Sequence, residues 1–197
     1  MRDRVRLALA AHRPLELPLA SRRAAAVLLL LHEERGVEHV LFQVRTLAVD
    51  HPGEISFPGG GHHPSDRSLL ATALRETREE IGVPAHDVEV LGQLDDTATR
   101  SSNYLIRPYV GVLRPGPREF ATAPLEVSEL LRVPLDHLLS PGTRGWYVVD
   151  DAGAPEPTAA YYYGEHVIWG ATARMLDQLL SLIDAGSIAG TIEAGAR

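Results

Sequence analysis

Three glutamates, Glu76, Glu79 and Glu80, stand at spacings i, i+3 and i+4 within FPGGGHHPSDRSLLATALRETREEIGV, residues 57–83. A helix turns once every 3.6 residues, so the three carboxylates project from one face. Crowded carboxylates repel unless a cation sits among them, and hard divalent ions such as Mg²⁺ take oxygen donors of this kind. Metal binding is the chemistry expected. An acid-rich helix face is also the ordinary composition of a solvated surface, and the context decides between the two. Pro58, Gly59, Gly60 and Gly61 precede the helix, where backbone amides can approach a ligand that side chains would block. Arg75 lies one turn before Glu79, a spacing at which a salt bridge sets the carboxylate's rotamer. The opposite face, with Leu70, Leu74, Thr77 and Ile81, is expected to pack on a core. Ser65 or Asp66 is expected to cap the helix and Gly82 to end it.

Composition bounds what such a site can serve. The chain has 197 residues, 45% of them hydrophobic, and a formal net charge of −7. That size suits one domain with a sizeable core, and the negative balance argues against nucleic acid or an anionic membrane as partner. A small anionic substrate remains compatible, because a metal and local arginines reverse the charge inside a site. Cysteine is absent, which excludes disulfides and a thiol nucleophile and fits a reducing, cytoplasmic setting. All 19 basic residues are arginine, so a strong cationic phosphate contact must come from arginine or a protonated histidine. A structural zinc site is not expected: His62 and His63 are adjacent rather than at i, i+4, and no cysteine assists.

At these residues the sequence resembles the Nudix hydrolases, whose box reads G-x5-E-x7-R-E-U-x-E-E-x-G-U, with U aliphatic. Gly61, Arg75, Glu76, Glu79, Glu80, Gly82 and Val83 fall in register. Thr77 replaces an aliphatic residue and still offers a methyl group. Arg67 stands where the box has its first glutamate, with Asp66 one residue earlier. The resemblance implies an α/β fold, a Nudix-type α/β/α sandwich with a mixed β-sheet, and hydrolysis of a pyrophosphate bond assisted by Mg²⁺ or Mn²⁺. Glu76 and Glu80 would be the principal metal ligands, with Glu79 completing the cluster or acting on the attacking water. Glu79, Glu126 and His62 all stand as candidates for the general base.

A second resemblance lies just upstream. In the branch of Nudix enzymes that hydrolyse coenzyme A, a motif of the form L-L-T-x-R-S/A-x3-R-x3-G-x3-F-P-G-G precedes the box. Arg45, Thr46, Gly53, Phe57, Pro58, Gly59 and Gly60 match or nearly match it. The segment between Arg45 and Gly53 is one residue shorter, and the second arginine is missing, with Val49, Asp50 and His51 nearest. The resemblance implies a coenzyme A diphosphatase giving 3′,5′-ADP and 4′-phosphopantetheine. Arg45, Phe57, Gly59, Gly60, Gly61 and Arg100 would contact this small-molecule substrate. Arg45 is the first candidate for the 3′-phosphate, Arg100 and Arg107 weaker ones. The box alone equally allows ADP-ribose or a nucleoside triphosphate, and a third reading is a non-catalytic nucleotide sensor, against which the intact glutamates argue.

These residues need a scaffold. Residues 2–12 suit a short basic amphipathic helix with Val5, Leu7 and Leu9, without the long apolar region of a signal peptide, and residues 1–23 form a lead-in. The apolar run 24–31 is far below the roughly 20 residues that span a bilayer and reads as a buried strand. A turn around Gly36 and a strand over 39–45 complete a hairpin that delivers Arg45 toward the glycines. Strands follow at 88–94 and 104–113, with a polar loop at 95–103 between them. Residues 125–141 resemble the Nudix element in which E-V leads into a V-P-L strand and a short helix, which makes Glu126 a candidate late carboxylate. Strands at 146–149 and 159–163 and a helix over 170–183, apolar at Ala173, Leu176, Leu180 and Ile183, close a single domain spanning 1–197, with 184–197 as a tail.

Overall fold

The computed structural model describes residues 1–46, 53–99, 102–114, 119–149 and 156–194. The apolar run forms the centre of β1 (Arg23–Glu34), buried from Ala25 through His32. Alternate residues of a strand point to opposite faces, and this run is continuous because both faces are covered. Val27, Leu29 and Leu31 enter the larger core cluster with Val5 and Leu9 of α1 (Arg2–Ala11). Ala26, Leu28 and Leu30 enter a second cluster with Ala73, Ile81 and Val83. β2 (Val37–Arg45) returns through a two-residue loop in which Arg35 and Gly36 have φ of 53° and 79°, the paired positive angles whose twist matches antiparallel strands.

β3 (Ile55–Ser56), β4 (Gly59–Gly61), β5 (Val88–Gln93), β6 (Thr97–Ala98), β7 (Tyr104–Leu113) and β8 (Val127–Pro134) complete an eight-stranded sheet among the described residues. Its main path runs β3-β2-β1-β7-β5, with β4 on β1, β6 on β7 and β8 on β2. The β1–β7 pair is parallel and the others antiparallel. A parallel pair needs a crossover, and this one carries α2 (Leu69–Ile81), the glutamate helix, on one face of the sheet. On the other face lie α1, the short α3 (Leu135–Leu139) and α4 (Gly170–Ala194). A separate antiparallel sheet of β9 (Arg144–Val149), β10 (Glu156–Tyr163) and β11 (His166–Ile168) is ordered β11-β10-β9. The layering is the expected α/β/α sandwich with a mixed sheet.

Four local expectations are corrected. The loop at 95–103 contains β6, which pairs with β7. α4 continues through Ala194, into the stretch expected to be a tail. The N-terminal segment is no lead-in but part of the core: Val5 and Leu9 are 0% and 6% exposed, and Arg2 and Arg6 tie α1 to Glu38 and Glu89. Leu7, counted with Val5 and Leu9 as the apolar content of that helix, is 72% exposed, and Ala8 is buried. No helix among the described residues is long and apolar enough to cross a membrane.

Leu9→Ala tests whether α1 belongs to the core. A truncated core leucine is expected to lower unfolding free energy in urea by about 2–5 kcal/mol. A loss within about 0.5 kcal/mol, the range of surface substitutions, would return α1 to the standing of a lead-in.

Candidate active site

α2 begins after Ser68, whose Oγ accepts from Ala71 N at 3.1 Å, and ends at Gly82 in the left-handed region at φ 73°. Neither Ser65 nor Asp66 caps it. The helix buries Thr72, Ala73, Thr77, Glu80 and Ile81, while Leu70 and Leu74 are only half-buried. The face against the sheet is therefore rotated from the expected stripe and includes one of the glutamates. Glu80 is 3% exposed. Its Oε1 accepts from Gln43 Nε2 on β2 at 2.7 Å and its Oε2 from Gly59 N at 2.8 Å. Burial pushes the Glu80 carboxyl up to about 7, with the charge of Glu76 adding to the rise, while both hydrogen bonds and the charge of Arg45 oppose it. Burial also raises Glu76, against the hydrogen bond and charge of Arg75 and with the charges of Glu79 and Glu126. The Glu76 side chain is 18% exposed and that of Glu79 48%, so three acids on one helix occupy three environments.

Arg75 knits this face together. Its Nη1 donates to Glu79 Oε2 at 2.8 Å, the ion pair the spacing implied, and its Nη2 lies 2.8 Å from Glu76 Oε1. Nε and Nη2 also donate to the two oxygens of Asp66 at 2.9 and 3.0 Å. The Asp66 side chain is 5% exposed and accepts further from Thr72 Oγ1 at 2.9 Å and His63 N at 3.1 Å. Beside the Arg75 guanidinium its carboxyl is held far below the usual carboxylate range. The acid missing at position 67 is thus supplied one residue earlier, by a side chain that ties the loop to the helix.

The glycines divide their work. Gly59, at φ 148°, lies so close to β1 that a Cβ would stand 2.3 Å from Ala26 O and 2.5 Å from Val27 Cα. At Gly60 a Cβ would instead meet Glu76 Cδ at 2.7 Å and Oε1 at 2.8 Å. Gly59 therefore serves the backbone packing and Gly60 the carboxylate. Gly61 O accepts from Arg75 Nη2 at 3.4 Å. Phe57, expected to contact substrate, is 1% exposed and stacked on Phe42 with centroids 4.8 Å apart, so it anchors the loop in the core.

The candidate cations and bases separate as well. Arg45 ends β2 where the β2–β8 register shifts between Val44 and Arg45, an irregularity of the kind that re-aims a side chain, and its charge reaches Glu80. Arg107 is bound by Asp96 at 2.9 and 3.0 Å and by Glu16 at 3.0 Å, so its guanidinium is already paired with two carboxylates. Arg100, and with it residues 49–51, lies outside the described residues. Glu126 is exposed and its charge is felt at Glu76. His62 pairs through Nδ1 with Thr72 Oγ1 at 3.0 Å, near the start of the helix. Gln43 went unnoticed in the sequence; its signal was a lone amide inside the apolar strand VLFQV.

As these side chains stand, no three Asp, Glu or His residues among those described are gathered to hold a cation. Arg75 occupies Glu76 and Glu79, and Gln43 and Gly59 hold Glu80. The donor set still fits a hard divalent ion: it is carboxylate oxygen alone, and two of its members are raised by burial and like charge, the condition a cation relieves.

Two predictions follow from this geometry. Gly59→Ala is expected to destabilise the fold by about 1–3 kcal/mol of backbone strain or more. Gly60→Ala keeps the melting temperature and loses up to about a hundredfold in turnover by displacing Glu76. The opposite pattern in thermal melts and kinetics would exchange their assignments. For protein stripped of metal by EDTA, the folded-state Glu80 carboxyl near 7 exceeds its ordinary 4.5, so the folded chain holds the extra proton between those values. The Glu80 contribution is then greatest below about pH 4.5 and is lost as pH rises through 7. Glu80→Gln should flatten that part of the melting-temperature profile, and an unchanged slope would clear Glu80 of it.

The NUDIX domain profile matches residues 20–157. The chain is 41% identical over 129 residues to the uncharacterized Nudix hydrolase NudL of Photorhabdus laumondii, covering 66% of this chain and 68% of that protein. It is 34% identical over 167 residues to the human mitochondrial coenzyme A diphosphatase NUDT8, covering 83% of this chain and 71% of the relative. Among solved structures, a MutT/nudix family protein from Enterococcus faecalis superposes with a TM-score of 0.59 at 15% identity, over 89% of this chain and 66% of that one, a likeness of fold. A profile spanning more than half of the sequence, together with a relative at this identity and coverage, shows that the chain belongs to the Nudix hydrolase family.

Proposed function

We propose that this chain is a metal-dependent diphosphatase that cleaves the pyrophosphate bond of coenzyme A and its derivatives, releasing 3′,5′-ADP and 4′-phosphopantetheine. The observation that carries the reaction class is the junction of glycine loop and helix, where Gly59 N grips Glu80 and Gly60 leaves space for the Glu76 carboxylate. What supports coenzyme A is the 34% identity to the mitochondrial coenzyme A diphosphatases NUDT8 of human and mouse, together with the upstream motif around Arg45.

Glu76 and Glu80 would hold Mg²⁺ or Mn²⁺, with Glu79 beside them. The bound ion supplies charge neutralisation of the diphosphate and a lowered pKa for a water molecule. Arg75 contacts Glu76 and Glu79 as well as Asp66, and its two bonds to Asp66 would hold the guanidinium in place if the glutamates turned to an ion. Glu79, Glu126 and His62 stand as the candidates to take the proton of the attacking water; Glu126 is exposed and its charge is felt at Glu76. Arg45 meets the 3′-phosphate. We propose a cytoplasmic setting, with which the absence of cysteine is compatible.

The test is a screen of purified protein with Mg²⁺ or Mn²⁺ against coenzyme A, dephospho-coenzyme A, ADP-ribose, NADH and nucleoside triphosphates. Coenzyme A is expected to show the highest kcat/KM, and Glu76→Gln and Glu80→Gln each to lose on the order of a hundredfold or more. Dephospho-coenzyme A should be poorer by about ten- to a hundredfold, the value of a charged hydrogen bond, and Arg45→Ala should erase most of that gap. Faster turnover of ADP-ribose would replace coenzyme A as substrate. Tight nucleotide binding without turnover would make the chain a sensor. Equal use of the two coenzyme A forms, with Arg45→Ala harming both alike, would move Arg45 to the diphosphate or the fold.

A further inference from the structure

Gln43 is an amide in the middle of an apolar strand, 1% exposed, and its side-chain bond goes to Glu80 Oε1 at 2.7 Å. Its own Oε1 is buried and has no hydrogen-bond partner, and the same holds for Oγ of Ser56, its register partner on β3. An unpaired buried carbonyl is destabilising, so the amide is poorly explained as a device for holding the sheet together. The end of the amide that faces Glu80 is the nitrogen, which donates to its Oε1.

The two donors to Glu80 come from different elements, one from the floor of the sheet and one from the glycine loop. A carboxylate held at a single oxygen can still swing about that contact. One held at both oxygens has its plane set, and each oxygen keeps acceptor capacity beyond the one bond it makes. We propose that Gln43 is a positioning residue for cation binding, acting through Glu80: it fixes the carboxylate plane so that the remaining lone pairs are presented to the divalent ion. This rests on the reading of Glu80 as a metal ligand.

The experiment measures free Mn²⁺ by electron paramagnetic resonance as it is titrated into the full chain, with circular dichroism and thermal melts alongside. Gln43→Met keeps the length and removes the donor, and Gln43→Asn keeps the amide on a stem too short by one methylene. Both are expected to weaken Mn²⁺ binding by about 10- to 100-fold, the usual effect of losing a group that orients a ligand. In a Glu80→Gln background, Gln43→Met should add no further loss. Wild-type affinity in either folded Gln43 variant, or losses that add in the double variant, would overturn the proposal, as would failure of both variants to fold, which would assign Gln43 to the fold. The two readings fail separately. If Glu80→Gln binds Mn²⁺ like the wild type, the ligand assignment falls; if Glu80→Gln weakens binding and the Gln43 variants do not, only the positioning assignment falls.

Discussion

The site depends on one carboxylate buried where carboxylates are disfavoured. Glu80 is 3% exposed and faces the sheet, with Glu76 near enough for its charge to raise the Glu80 carboxyl further. Burying an acid without donors would neutralise it; here one donor is brought to each oxygen. Bringing the backbone of Gly59 that close requires the loop to lie on β1 with no Cβ between them, since one would stand 2.3 Å from Ala26 O. The need for glycine in the loop and the depth of the glutamate are therefore one constraint seen from two sides.

Arg75 and Asp66 solve the complementary problem on the exposed side. A guanidinium between Glu76 and Glu79 offsets part of their charge, but an arginine bound only to those two would compete with any cation. Asp66 gives it a third, nearly buried partner with two parallel bonds, and so ties the arginine to the loop. The same carboxylate accepts from Thr72 and His63, so loop and helix are joined through one side chain. A site held by such bonded side chains on a helix and a strand is more rigid than one built from loops alone.

The scaffold explains why the helix sits where it does. β1 is paired on both edges and covered on both faces, by α2 on one and by α1 and α4 on the other. The N-terminal helix therefore stabilises the strand on which the glycine loop lies, although it is remote from the glutamates in sequence.

Much of this was legible in the sequence because it depends on local spacing. The i, i+3, i+4 glutamates, the Arg75–Glu79 pair, the Gly82 terminus, the doubly buried β1 and the strand at Tyr104–Leu113 follow from helical and strand periods and from glycine's access to positive φ. Resemblance to the Nudix box supplied the sandwich, which no propensity would have delivered. Only tertiary structure decided which side of α2 met the sheet: rotation buried Glu80 and left Leu70 and Leu74 half-exposed, because helix orientation is set by packing against residues far away in the chain. It likewise decided that Phe57 packs on Phe42, that Arg107 is bound by Asp96, and that Asp66, nine residues before Arg75, reaches it. Gln43 and Glu80 are separated by 37 positions, and a contact of that span depends on strand register and helix placement together, which no local pattern encodes.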